Sequence, residues 1–133
     1  MGNVKAVQGL YEAFGRGDIA AVVGGMDPDI HWSEAEGNPY RASGGAFVGP
    51  DAIVQGLFIK LGGDFDGFTV SPKDFYDAGD SVIVEGRYTG TNKATGKALD
   101  AQFCHIFSMM DGKLHTFQQF VDTAQMQDVL GAR

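Results

Sequence analysis

A chain of 133 residues and 14.2 kDa is one core's worth of polypeptide, and the sequence predicts a single domain over 1–133. With 44% apolar and 20% charged residues the composition is globular rather than disordered. Ten Lys and Arg against 17 Asp and Glu, a formal net charge of -7, argue against nucleic acid or an anionic membrane as partner, because both need concentrated positive charge.

The lone Cys104 excludes an internal disulfide. Residues 1–6 lack the apolar stretch of a signal peptide, and no apolar run approaches the ~20 residues of a membrane span, so the expected location is the cytoplasm.

Val4, Val7, Leu10, Tyr11 and Phe14 recur at helical spacing and predict an amphipathic first helix ending at Gly15, its stripe used for packing on a sheet. Asp18 is the expected N-cap of a second helix carrying Ile19, Val22, Val23 and Met26, which Asp27-Pro28-Asp29 breaks. Residues 30–34 alternate, with Ile30, Trp32 and Glu34 on one face of a short strand and His31 and Ser33 on the other. A loop over 37–49 follows. Pro50 then opens a third helix that is expected to stop at Gly62-Gly63.

From there the period changes to two, and residues 68–76, 81–90, 98–109 and 114–121 read as four strands of a meander. Thr123 is the expected cap of a closing helix. Helices followed by strands define an α+β fold: a curved antiparallel sheet with helices packed on its concave face and a blind pocket between them.

Familiar motifs fail on context. Gly15-Arg16-Gly17-Asp18-Ile19-Ala20 has dinucleotide-fingerprint spacing but follows a helix rather than a strand, and 90–98 misses the P-loop by one residue. His31, His105 and His115 lack paired metal-ligand spacing. No metal and no cofactor are expected.

Alternation sorts the meander into two faces. Val82, Val84, Gly86 and Tyr88 point inward, with Glu85 and Arg87 outward as a solvated pair. Phe103, His105 and Phe107 point inward, and so do Phe117, Gln119 and Val121. The pocket would therefore be walled by Trp32, Tyr88, Phe103, Phe107, Phe117, Gln119 and Val121 as substrate-binding residues, with Glu34 and His105 as catalytic ones on opposite walls. A carboxyl group among aromatic rings is desolvated, which raises its pKa toward neutrality and makes it a better general base. An imidazole opposite could donate a proton or polarise a carbonyl. Each has a structural reading as well: Glu34 solvated at a strand end, His105 satisfied in the core.

Tyr11-Glu12-Ala13-Phe14 with Gly17-Asp18, then Asp29-Ile30-His31-Trp32, Phe47-Val48-Gly49-Pro50 and Asp111-Gly112-Lys113, resemble the SnoaL-like and ketosteroid isomerase-like branch of the nuclear transport factor 2-like superfamily. The resemblance covers essentially the whole chain and implies a cystatin-like α+β barrel. It also implies a homodimer and a cofactor-independent acid–base enzyme of isomerase, polyketide cyclase or dehydratase type acting on a small, largely apolar carbonyl compound. Because the same fold hosts proteins without turnover, the alternative is a non-catalytic domain that binds a hydrophobic ligand. Against the ketosteroid isomerases, Glu34 falls at the proton-abstracting carboxylate. Leu10 and Phe103 fall where those enzymes keep their oxyanion tyrosine and second acid, so His105, two residues past Phe103, would substitute.

Overall fold

The computed structural model describes residues 2–132. Helix α1 (Gly2–Gly15) and helix α2 (Ile19–Gly24) lead into strand β1 (Met26–Ser33) and the short β2 (Phe47–Val48). Helix α3 (Pro50–Ile53), a π-turn (Val54–Phe58) and helix α4 (Ile59–Asp64) form one continuous helical rod. Strands β3 (Phe65–Ala78), β4 (Ser81–Asn92), β5 (Ala98–Met110) and β6 (Lys113–Val121) follow, and helix α5 (Thr123–Val129) closes the chain. The strands make one six-stranded sheet in the order β2-β1-β6-β5-β4-β3. All neighbours are antiparallel except β1 and β6, which run parallel.

Local chemistry explains most boundaries. Asp18 caps α2 by accepting from the Ala21 N–H at 3.1 Å. The β5–β6 turn places Asp111 and Gly112 at φ 52° and 76°, a pair of positive angles that a two-residue hairpin requires.

Several expectations need correction. Met26 and Asp27-Pro28-Asp29 belong to β1 rather than to a helix and its break. Proline is tolerated there because the β1–β6 register slips between Met26 and His31, so no ladder hydrogen bond is asked of residue 28. The third helix passes through Gly62-Gly63 to Asp64, since packing of Leu57 and Leu61 outweighs the low helix propensity of two glycines. The 37–49 loop contains β2, which pairs Val48 with His31 and Phe47 with Trp32. Asp122, not Thr123, caps α5, accepting from the Gln125 N–H at 3.1 Å. Glu85 and Arg87 do not pair with each other: Arg87 binds Asp100 at 2.7 Å, and Glu85 accepts from the Tyr76 hydroxyl at 2.8 Å.

Val7, Ile30, Ile53, Leu57, Val82, Val84, Leu99 and Leu114 form the heart of the core between helices and sheet. Among the described residues no helix is long and apolar enough to cross a membrane.

Candidate active site

Register decides which inward side chains become neighbours. Val84, His105 and Gln119 lie in one cross-strand row of β4, β5 and β6. The adjacent row runs Val82, Phe107, Phe117 and Trp32. Because Trp32 sits beside Phe117, Glu34, two residues on, arrives beside Gln119, and the Gln119 Nε2 donates to Glu34 Oε1 at 3.0 Å.

These groups open on a cavity with about 730 Å³ of atom-free space, reckoned out through its mouth into solvent. Trp32, Glu34, Tyr88, His105, Phe107, Phe117 and Gln119 all line it. Two expected wall residues do not. Phe103 lies beside His105, its ring stacked on the imidazole at 3.9 Å, and Val121, partly buried against the core, borders neighbouring grooves instead of the cavity. The β5–β6 pairing sets Val121 against Phe103 at the sheet's end, beyond the reach of the cavity.

Glu34 keeps only 5% of its surface, yet three N–H groups surround it. Trp32 Nε1 donates to Oε2 at 2.8 Å, while Gln119 Nε2 and Asn38 Nδ2 donate to Oε1 at 3.0 and 3.4 Å. Burial pushes the carboxyl pKa up from 4.5 to about 7, and the Trp32 hydrogen bond opposes that rise. Both amides are oriented by backbone donors: the Ala35 N–H gives to Gln119 Oε1 at 3.3 Å and the Tyr40 N–H to Asn38 Oδ1 at 3.0 Å. Every protein partner of Glu34 is thus a donor. When it takes a proton, that proton has to face the cavity.

Glu34 and His105 do not confront each other from opposite walls; they end a single row along the sheet. Gln119 Nε2 also donates to the Tyr88 hydroxyl at 3.0 Å, Tyr88 meets His105 Nε2 at 2.5 Å, and His105 Nδ1 meets the Tyr11 hydroxyl of α1 at 2.6 Å. Burial holds the His105 pKa well below its ordinary value, so the ring is neutral and carries one N–H. Tyr88 accepts from Gln119, which leaves its hydrogen for Nε2. His105 then gives its Nδ1 hydrogen to Tyr11, and the Tyr11 hydrogen is left for the cavity, which Tyr11 lines. Burial raises the Tyr11 and Tyr88 pKa values, so both phenols stay protonated.

Sequence reasoning missed Tyr11 and Asn38. Tyr11 falls on an apolar packing stripe, although a phenol on such a stripe carries a polar tip that burial obliges to find a partner. Asn38 sits in a loop rich in glycine, where asparagine ordinarily serves a turn.

The rest of the lining is apolar. Trp32 stacks on Phe117 at 3.7 Å, and Phe58 meets Trp32 and Phe14 edge-on at 5.6 and 5.2 Å. Among the described residues no Lys or Arg lines the cavity, and no three His, Cys, Asp or Glu gather as metal ligands. A ligand's anionic group would find no cation inside.

The family model of the SnoaL-like domain matches residues 7–116. The chain belongs to the SnoaL-like family. A crystallised NTF2-like protein from Burkholderia thailandensis is 34% identical to this SnoaL-like chain, with 96% of each chain covered and a TM-score of 0.90. TerC, crystallised with polyporic acid, is 27% identical over 98% of this chain and 99% of its own, with a TM-score of 0.87. IdmH, a candidate polyketide cyclase from Streptomyces antibioticus, shares the fold at 19% identity, covering 97% and 98% with a TM-score of 0.80. No curated protein matches. The family and its α+β architecture are therefore shown, and chemistry has to be argued from the cavity.

Proposed function

We propose that this SnoaL-like domain is a cofactor-independent acid–base enzyme of the isomerase, cyclase or dehydratase type, acting on a small, largely apolar carbonyl compound held in the cavity. One observation carries the reading: Glu34 is buried among aromatic rings with only N–H donors around it and a pKa of about 7. A base is most effective when its pKa lies near the working pH. Glu34 takes a proton from the carbon beside the carbonyl, and the C–H electron pair moves onto the carbonyl oxygen as an enolate. The Tyr11 hydroxyl donates to that oxygen, and protonated Glu34 delivers the proton at the next step. His105, neutral and engaged on both ring nitrogens, positions Tyr11 and Tyr88 instead of exchanging a proton itself. Trp32, Phe107 and Phe117 hold the apolar body of the substrate, and Phe103 supports the imidazole by stacking on it. That TerC crystallised with polyporic acid supports a small organic ligand in this cavity.

Two copies are proposed to pair through the convex sheet face, where register aligns Tyr76, Ile83 and Ile106 and places Phe120 beside Cys104. Phe120 and Tyr76 are half exposed there.

Proton abstraction is tested with 2-tetralone in D2O, following loss of the α-hydrogen signals by NMR. The protein should accelerate exchange, with a rate that rises with pH through about 7, and Glu34→Gln should lower it by about 10²–10⁴-fold. Saturable binding of 2-tetralone with no exchange above the buffer rate would instead make the domain a ligand-binding protein without turnover.

A further inference from the structure

The wall opposite the polar row is unusual in its backbone. Between α3 and α4 the helical rod widens into a π-turn at Val54–Phe58, closed by the Ile59 N–H reaching back to the Val54 carbonyl. Turns of this kind occur mostly as single insertions in α-helices, frequently at functional positions. In an α-helix consecutive side chains point about 100° apart, yet here Leu57 and Phe58 both face the cavity. Leu57 is buried and Phe58 half-buried, while Ile59, the next residue, is 56% exposed.

The π-turn is seated from outside by a close approach. A Cβ on Gly56 would lie 2.5 Å from Phe47 Cε1, so only glycine lets the β2 ring sit against the turn. Phe47 is itself paired with Trp32 in the sheet. On the inner side the Phe58 ring touches Phe14 of α1 at 5.2 Å and Trp32 at 5.6 Å, both edge-on. Trp32 in turn holds Glu34. The rod that carries Phe58 is also intrinsically weak, since α4 contains Gly62 and Gly63, each about 1 kcal/mol poorer in helix propensity than alanine.

Building on the reading of the cavity as the substrate site, we propose that Phe58 is the specificity-determining residue: its ring, mounted on the π-turn, closes the space between Phe14 and Trp32 and sets the largest ring system that can lie over Glu34. The ligands it admits are flat and carry no negative charge, because the lining supplies aromatic faces and no cation; within the proposal, Phe58 sets their size at one or two fused rings. Phe58 itself makes no hydrogen bond to Glu34, and removing its ring opens the cavity between Phe14 and Trp32.

Calorimetric titration with phenol, 2-naphthol and 9-phenanthrol tests this on the wild-type chain and on Phe58→Ala, Phe58→Leu and Phe58→Trp. Wild type should bind 2-naphthol more tightly than 9-phenanthrol. Phe58→Ala should improve 9-phenanthrol relative to phenol by about tenfold or more, with Phe58→Leu intermediate, and Phe58→Trp should weaken 2-naphthol. Phe58→Leu keeps the apolar packing and carries the comparison if the alanine variant does not fold. Unchanged ratios in the folded variants, with the probes still bound, would overturn the role of Phe58 and leave the cavity reading standing. Absence of binding of all three probes to wild type would overturn both.

Discussion

Glu34 and His105 are both buried, and burial acts on them in opposite directions because one is an acid and the other a base. The folded chain holds the Glu34 proton up to about pH 7, whereas an unfolded chain releases it near 4.5. Stability from this group is therefore greatest below pH 4.5 and declines as pH rises to 7, by on the order of 3 kcal/mol. His105 runs the other way. Its folded pKa is well below 6.5, so its contribution is complete above pH 6.5 and is lost as pH falls toward the folded value. Between about pH 4.5 and 6.5 the two slopes oppose each other. Urea unfolding at pH 5, 6, 7 and 8 should show stability falling with rising pH in His105→Gln and falling with dropping pH in Glu34→Gln. Parallel profiles in wild type and both variants would contradict these assignments.

At the scale of elements, the strand faces were legible from alternation alone. Val82, Val84, Tyr88, His105, Phe107, Phe117 and Gln119 all point inward, as a period of two demands, because one face of the sheet has to be buried. The π-turn and the passage of α4 through two glycines were not legible, since both depend on what packs against the rod. Glycines divide on the same ground. At Gly86 a Cβ would lie 2.4 Å from the Ser71 carbonyl oxygen, 2.9 Å from Pro72 Cα and 2.5 Å from Phe103 Cζ. Two of these neighbours are backbone and cannot swing away. Gly86→Ala should cost about 1–3 kcal/mol in urea unfolding, as overpacking does, and should disturb the Phe103 ring that stacks on His105. Gly62, exposed in α4 with nothing within 4 Å of a built Cβ, should behave oppositely. Gly62→Ala should stabilise by about 0.5–1 kcal/mol. A neutral result at Gly86 would mean that the β3–β4 pairing, whose register shifts between Pro72 and Asp74, relaxes freely.

For the whole molecule, the proposed pairing across the convex face predicts a particle of twice 14.2 kDa in light scattering at tens of micromolar. Phe120→Asp should shift it to the single-chain mass by placing a charge in the buried interface. A 14.2 kDa species for the unaltered chain would remove the pairing.

Periodicity and turn chemistry by themselves determined the α+β class, the order of the helices and of every strand but β2, and the inward set from Trp32 to Gln119, because those patterns are local and every strand has to choose one face to bury. They could not determine who stands beside whom. That the β1 end meets β6 in parallel, that Gln119 therefore bridges Glu34 to Tyr88, and that α1 lowers Tyr11 onto His105 are consequences of long-range register and helix docking. Residues 85 and 94 positions apart in the chain become hydrogen-bonded neighbours only when the sheet curls: Gln119 reaches Glu34 across 85 positions, and Tyr11 reaches His105 across 94. Local spacing carries no record of such contacts, and for that reason the hydrogen-bonded row had to come from the tertiary structure.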